Sequence, residues 1–349
     1  MDFKIGKVSF NEKKVVILAE AGVNHLGKIE YAEKLIRAAS RAGADIIKFQ
    51  TYKAEKLTTK NASRFWSWKG EEKKKGSQFD SYSQLDSFDY KEYKILKKMC
   101  ETYKIEFLST PFDEESADIL EKVGVRGFKI ASCDITNFPL IEHIARKKLP
   151  ILLSTGASNI NEIVNAVRLI EKHTNKICIM HCTLCYPTKY NDSNLLALQT
   201  LKKKFPKYLI GLSDHSLGTI VSSSSVLLGA RVIEKHFTID KKLPKSADHW
   251  LSLDPGELAK LVRETKIIKQ SIGTGVKECL KCEQLAKKNA RRSIVITKDM
   301  VKGEMIKRDS IVLKRPGTGL PSMMIEKVVG RVLKKDLIAD TILDLKHLK

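Results

Sequence analysis

The feature that most constrains this chain is a rhythm. Short apolar, β-branched runs recur at even spacing, each followed by a segment with helical periodicity. The runs fall at Val15–Ala19, Asp45–Gln50, Glu106–Ser109, Gly127–Ala131, Ile151–Ser154, Ile177–His181, Leu209–Leu212 and Arg231–Lys235. Helical patterns between them include Ile29–Ala42, Glu114–Val123, Pro139–Lys147, Ile160–Lys172 and Leu195–Phe205, and a small-residue stretch, Leu217 to Gly229, reads as a buried helix. Eight β-then-α units predict a (β/α)8 TIM barrel, since parallel strands need crossovers and crossovers are right-handed. A doubly wound open sheet is the alternative, but it rarely needs eight strands so evenly spaced. Phe3–Lys14 predicts a β-hairpin plugging the barrel bottom. Asp254-Pro-Gly-Glu257 supplies an N-cap, a proline at N1 and a glutamate at N3 for the last barrel helix.

One interval is too long. Tyr52 to about Asp89 separates the second and third strands and carries Arg64-Phe-Trp-Ser-Trp-Lys69. A loop of that length after a strand reads either as a lid or binding loop over the barrel mouth, or as a surface excursion packed on the barrel. After the barrel (1–272) the character changes: 273–288 is polar and lysine-rich, a linker, and 289–349 is a small C-terminal β domain. Its short strands are read at Ser293–Ile296, Ser310–Lys314, Val328–Arg331 and Ile342–Leu345. The segments Val301–Asp309 and Leu333–Thr341 echo each other, which suggests pseudo-symmetry.

The formal charge of +22 raises a nucleic-acid surface, but the lysines are spread over the whole chain without an arginine-rich arm. The two runs, Lys73–Lys75 and Lys202–Lys204, look like solvated loop or helix-end segments. A lysine-rich enzyme with an anionic substrate fits better. No apolar run reaches the ~18 residues of a membrane span, the N-terminus lacks a signal-like apolar region, and seven cysteines are an odd number. Together these give the expectation of a cytosolic protein with reduced thiols. Cys182-Thr-Leu-Cys185 and Cys279-Leu-Lys-Cys282 are too far apart in the fold for a zinc ribbon and lack a redox context. Gly273-Thr-Gly275 opens no helix, so it is no dinucleotide loop.

In a parallel barrel the C-terminal strand ends build the site. Here they carry Glu20, then Lys48 and Gln50, then Thr110, then Lys129, Ser132 and Asp134, then Ser154, then Tyr186 beyond His181, then Ser213 and His215, then Glu234 and His236. Strands buried on both faces normally read as unbroken apolar runs. Lysine inside Ile46-Ile47-Lys48-Phe49 and inside Phe128-Lys129-Ile130 breaks that rule, and a buried lysine needs an anionic partner. Lys48 and Lys129 with the hydroxyls of Thr110, Ser132, Ser154 and Ser213 make a phosphate or carboxylate cradle. The alternative is internal pairing with Glu20 or Glu234. His215 and His236, on neighbouring strands, either hold a divalent metal or are two separate hydrogen-bonding histidines.

Taken as motifs, Ala19-Glu-Ala-Gly-Val-Asn-His25, Ile47-Lys-Phe-Gln-Thr51, Ser109-Thr-Pro-Phe112, Phe128-Lys-Ile-Ala-Ser132, Leu153-Ser-Thr-Gly156, His181-Cys-Thr183 with Tyr186-Pro-Thr188, Gly211-Leu-Ser-Asp-His215 and Glu234-Lys-His-Phe-Thr238 resemble the sialic acid synthase family. Lys314-Arg-Pro-Gly-Thr-Gly319 resembles that family's C-terminal antifreeze-like (SAF) domain. The resemblance runs through nearly the whole chain in order. It implies a synthase joining phosphoenolpyruvate to an N-acylated mannose-type sugar, giving a nine-carbon 2-keto acid and phosphate. By resemblance, His215 and His236 bind a divalent metal (Mn2+, Mg2+ or Co2+), and Lys48, Lys129, Thr110, Ser132, Ser154 and Ser213 hold phosphoenolpyruvate. Glu20, Gln50, Tyr186 and Asp248 orient the open-chain sugar. The family forms domain-swapped homodimers, so Arg315 is expected to reach over the partner's barrel mouth to the acylamino group. A carboxylate must manage the proton of an attacking water; Asp134 is the first candidate and Glu20 the second. Asp134 and Leu184 depart from the glutamate and asparagine of some members, which touches fine roles and sugar choice. A metal-dependent barrel aldolase or related keto-acid synthase is the neighbouring alternative, and the Arg315 tail argues against it.

Overall fold

A computed structural model describes residues 2–64, 66, 76–243 and 248–349. The Lys73–Lys75 run and most of the Arg64–Lys69 stretch lie outside them. The chain divides into two compact units, Met1–Ile272 and Gly273–Lys349.

The first unit is a (β/α)8 barrel. After a hairpin, β1 (Phe3–Ile5) and β2 (Val8–Phe10), come eight parallel strands: β3 (Val16–Gly22), β4 (Ile46–Thr51), β5 (Glu106–Pro111), β6 (Phe128–Ile130), β7 (Ile151–Ser154), β8 (Ile177–Cys182), β9 (Leu209–Asp214) and β10 (Val232–His236). The ladder runs β5-β4-β3-β10-β9-β8-β7-β6, and β5 and β6 pack side by side to close the circle. The hairpin is antiparallel, pairing Phe3 with Phe10, whose rings stack at 4.8 Å. It packs on inward residues near the strand starts, among them Val16, Leu18, Ile46, Leu152, Leu209 and Val232, and so stoppers the N-terminal end.

Alternation along each strand then sets the site. Residues facing the helices (Ile17, Ala19, Ile47, Phe49, Ile210, Ile233) are apolar and join the large outer core. Inward residues start apolar and turn polar two positions on: Leu18 gives way to Glu20, Ile46 to Lys48, Leu108 to Thr110, Leu152 to Ser154 and Val232 to Glu234. The bottom of the barrel is therefore hydrocarbon and its top polar.

Helices Ile29–Ala42 and Glu114–Val123 have the bounds the periodicity predicts, each ending on a left-handed glycine, Gly43 and Gly124. Asp254 caps Pro255–Ser271 with the expected capping box. The segment 217–229 departs from expectation: only Ile220–Ser225 is helical, and Ile220 and Leu227 are 69% and 63% exposed. Four consecutive serines explain the shortness, because Ser222 and Ser223 bond to carboxylates of Asp214 and Glu264 and Ser225 bonds back to the Ser222 carbonyl.

The second unit holds a two-stranded antiparallel sheet, β11 (Ser293–Ile296) and β12 (Ile311–Lys314). Two expectations change. The stretch read as a polar linker leads into a helix, Gln284–Ala290, and Val328–Arg331 is no strand, since a helix Ile325–Val328 ends there. Ile342 makes one bridge, to Val295. The two echoing segments meet: Leu333 exchanges backbone bonds with Gly303 and Glu304, and Met300 with Leu337. Their apolar members, with Ile294, Ile306, Leu343 and Leu348, form this unit's own core. No helix among the described residues is long and apolar enough to cross a membrane.

Candidate active site

The polar strand ends surround a cavity of about 400 Å³. Every site residue expected from the sequence lines it, with the single exception of Arg315. Arg315 is an exposed residue of the second unit, just beyond β12. From the long insertion, Tyr52, Trp66, Gln78 and Tyr82 also line the cavity, which makes that insertion a wall of the site. The Tyr52 and Tyr82 rings meet edge to face at 5.4 Å.

At the floor, Lys48 Nζ lies 2.6 Å from Glu20, 3.8 Å from Glu234 and 2.8 Å from the Thr110 hydroxyl. Lys129 Nζ lies 3.1 Å from Glu234. Glu234 also accepts from Ser213 at 3.3 Å. Internal lysine–carboxylate pairing is thus present, and it coexists with the hydroxyl cradle. All of these side chains are buried. Burial tends to raise the Glu234 carboxyl, but Lys129 and Lys48 outweigh it and hold it well below the ordinary range. Glu20 shifts the other way: burial and the Glu234 charge push it up against the pull of Lys48. Two carboxylates beside two ammoniums therefore differ, one firmly ionised and one able to take a proton near neutrality.

The hydroxyls are unequally committed. Ser132 Oγ accepts from the Gly156 N–H at 2.9 Å. A Cβ at position 156 would sit 2.8 Å from that oxygen, so only glycine permits the approach. Ser154 Oγ is buried without a hydrogen-bond partner among the described residues, an open place for a ligand oxygen.

Across the cavity, the His215 and His236 rings are 5.4 Å apart, with Tyr186 4.0 Å from the first and 5.6 Å from the second. His215 Nδ1 donates to the Thr183 carbonyl at 2.9 Å; burial lowers this imidazole's pKa, but Cys182, that carbonyl and Asp214 outweigh it and raise it, so Nε2 must give up a proton to bind a metal. His236 Nδ1 has no hydrogen-bond partner among the described residues and stands 3.5 Å from Asp248. Burial and the neighbouring His215 hold His236 neutral, the state a metal requires. Once His215 Nε2 is deprotonated, two imidazole nitrogens on one rim fit an open-coordinated divalent ion. Among the described residues no group of three or more His, Cys, Asp or Glu could hold a metal ion, so the donors at this rim are the two imidazoles alone.

Asp134 sits in the turn Ser132–Asp134 after β6, accepting from Asn137 at 3.2 Å; burial raises its carboxyl. Burial also pushes Asp248 up to about 6, with His215 pulling the other way. An acid whose folded value exceeds its unfolded one binds an extra proton between the two, so stability falls as pH rises from about 4 to 6. Asp248→Asn is expected to remove a decline on the order of 2 kcal/mol across that window. Urea melts at pH 4 to 7 check it, and equal slopes for the two proteins refute the raised value.

Sequence reasoning placed Glu234 at the strand-end rim and offered it as an alternative partner of the lysines, without foreseeing that it pairs with both of them. Its signal was available, a charge in an inward strand position like that of Lys48. The insertion was placed over the barrel mouth by its position after a strand, and that is where its described residues lie; which of its side chains reach the cavity had no signal in the sequence.

The profile of the NeuB family matches residues 35–277, and that of the SAF domain residues 291–349. The chain belongs to the NeuB family. Among NeuB relatives it is 39% identical over 338 residues to the N,N'-diacetyllegionaminic acid synthase of Legionella pneumophila, covering 95% of this chain and 94% of the relative. It is 31% identical to the human N-acetylneuraminate-9-phosphate synthase, covering 94% and 92%. The crystal structure of N-acetylneuraminic acid synthetase from Leptospira borgpetersenii in complex with citrate superposes with a TM-score of 0.72 at 36% identity, covering 82% of this chain and 95% of that one.

Proposed function

We propose that this chain condenses phosphoenolpyruvate with an N-acylated mannose-type sugar, N-acetylmannosamine or a relative, to give a nine-carbon 2-keto acid and inorganic phosphate. The observation that carries the reading is the meeting of a dilysine–hydroxyl floor and an imidazole pair in one cavity. Lys48 and Lys129 neutralise the phosphate and carboxylate of phosphoenolpyruvate, and Thr110, Ser132, Ser154 and Ser213 complete the hydrogen bonds. Glu20, Gln50, Tyr186 and Asp248 hold the open-chain sugar with its aldehyde toward the enol. His215 and His236 would hold a divalent ion (Mn2+, Mg2+ or Co2+), which would supply Lewis-acid polarisation of that aldehyde when bound. The C3 carbon of phosphoenolpyruvate forms the new bond to the aldehyde carbon, whose oxygen ends as a hydroxyl. Water adds at C2, and the C–O bond to phosphate breaks to leave the 2-keto acid. Asp134 takes the water's proton, and Glu20, also raised toward neutrality, is the second candidate.

The enzyme acts in the cytosol as a domain-swapped homodimer, its seven free thiols fitting a reducing compartment. In that dimer Arg315 of one subunit reads the acylamino group bound by the other. Arg315→Ala is then expected to raise the sugar KM roughly tenfold or more, the worth of one charge-assisted hydrogen bond, with kcat little changed. Steady-state kinetics decide it, and an unchanged sugar KM removes Arg315 from the site.

The Legionella relative's greater identity favours a second acceptor, a sugar bearing two acylamino groups. The test is incubation with phosphoenolpyruvate, Mn2+ and a panel of N-acylhexosamines, singly and doubly acylated and 6-phosphorylated, following phosphate and keto acid. Phosphate release with no acceptor preference, or no release at all, overturns the reading.

A further inference from the structure

Between Glu234 and His236, which face the cavity, Lys235 points the opposite way, toward the helix layer. The outer face of its own strand is otherwise apolar, since Ile233, two residues before it, belongs to the outer hydrophobic core. Yet Lys235 is 1% exposed, among the largest fully buried side chains of the protein. Its partner is Asp214, directly opposite in the β9–β10 register at the last paired position. Nζ lies 2.8 Å from Asp214 Oδ2 and also donates to the Ser216 carbonyl. Asp214 in turn accepts from the Ser216 N–H at 2.8 Å and from the Ser222 hydroxyl at 2.5 Å.

The consequence is geometric. Asp214 and Ser216 bracket His215, and Lys235 immediately precedes His236. One buried network thus ties together both chain segments that carry the imidazoles, just where the backbone ladder stops. An ion pair in such a place is a poor way to gain stability, because desolvating two charges cancels most of their attraction, and an apolar pair would serve as well. What an ion pair supplies and hydrocarbon does not is a fixed direction and distance.

We infer that Lys235 and Asp214 are positioning residues that hold the His215 and His236 rings at the separation needed to share a divalent cation. The inference rests on the metal assignment under the proposed function. Outer partners of metal-binding histidines typically account for about 10- to 100-fold in affinity.

The test is the paired replacement Lys235→Met with Asp214→Asn, which strands no charge. Three quantities are measured on the full chain: cooperative thermal unfolding, phosphoenolpyruvate affinity in the presence of chelator, and Mn2+ affinity from the paramagnetic resonance of free ion. The expected result is retained unfolding, unchanged phosphoenolpyruvate affinity, Mn2+ binding weakened about 10- to 100-fold, and turnover recovered by raising Mn2+. Unchanged Mn2+ affinity in the folded variant overturns the inference, as does parallel weakening of both ligands, which marks a general structural role. Should the pair fail to fold, Lys235→Leu with Asp214→Asn, which likewise strands no charge, is put to the same three measurements with the same criteria. Wild-type protein that binds no Mn2+ overturns the metal assignment itself, so the two failures are told apart.

Discussion

Replacing His236 by alanine is expected to abolish turnover and leave the barrel folded. Under the proposed mechanism this imidazole is one of two nitrogen donors on the cavity rim, and with it removed His215 alone would not fix an ion against the sugar aldehyde. We expect kcat to fall by roughly three orders of magnitude or more, about 4 kcal/mol of lost transition-state stabilisation. The structural cost is small by comparison. His236 opens onto an existing cavity, its Nδ1 has no hydrogen-bond partner among the described residues, and its ring contacts Tyr186 only edge-on at 5.6 Å. A loss of about 1–2 kcal/mol in unfolding free energy is the scale for such a deletion. Kinetics at saturating Mn2+ beside a thermal melt separate the two effects. Turnover near wild type in a folded variant removes His236 from the chemistry.

Most of the barrel was legible because its signals are local. Short apolar strand runs, 3.6-period helices and the cap at Asp254 act within a few residues, and the structure places elements there. The site was legible for a related reason. A lysine in an apolar strand is a violation visible in the sequence, and parallel strands guarantee that such violations gather at one end. What stayed hidden depends on tertiary partners. The serines at 222–225 look helix-neutral until Asp214 and Glu264 are seen drawing their hydroxyls away. Val328–Arg331 has strand composition, but it follows a helical turn, Ile325–Val328, and Val328 enters the small unit's core from that turn's end. Glu234 and Lys235 are adjacent charges in one strand, and only their opposite directions separate a residue of the cavity floor from one behind it.

Lys129→Met should strike both binding and stability, and the two can be separated. Its ammonium is the nearer of two cations to Glu234, at 3.1 Å against 3.8 Å for Lys48. Losing it should raise the KM for phosphoenolpyruvate about a hundredfold, since charge-assisted hydrogen bonds contribute about 1.5–3 kcal/mol each. It also leaves the buried Glu234 carboxylate with only the more distant Lys48, a destabilisation of about 3 kcal/mol. The pH dependence follows in sign. In the wild type Glu234 is held below its unfolded value, so its stabilisation is present above the ordinary carboxylate range and is lost as pH falls through the lowered value. In the variant, burial dominates, the carboxyl rises, and stability is instead lost as pH climbs. Lys129→Met should therefore be closer to wild type at pH 5 than at pH 8 in urea melts. Adding Glu234→Gln removes the stranded charge and should restore stability while leaving the phosphoenolpyruvate KM high. If that second change also restores the KM, Lys129 serves only to neutralise Glu234, and the anion cradle rests on Lys48 and the hydroxyls.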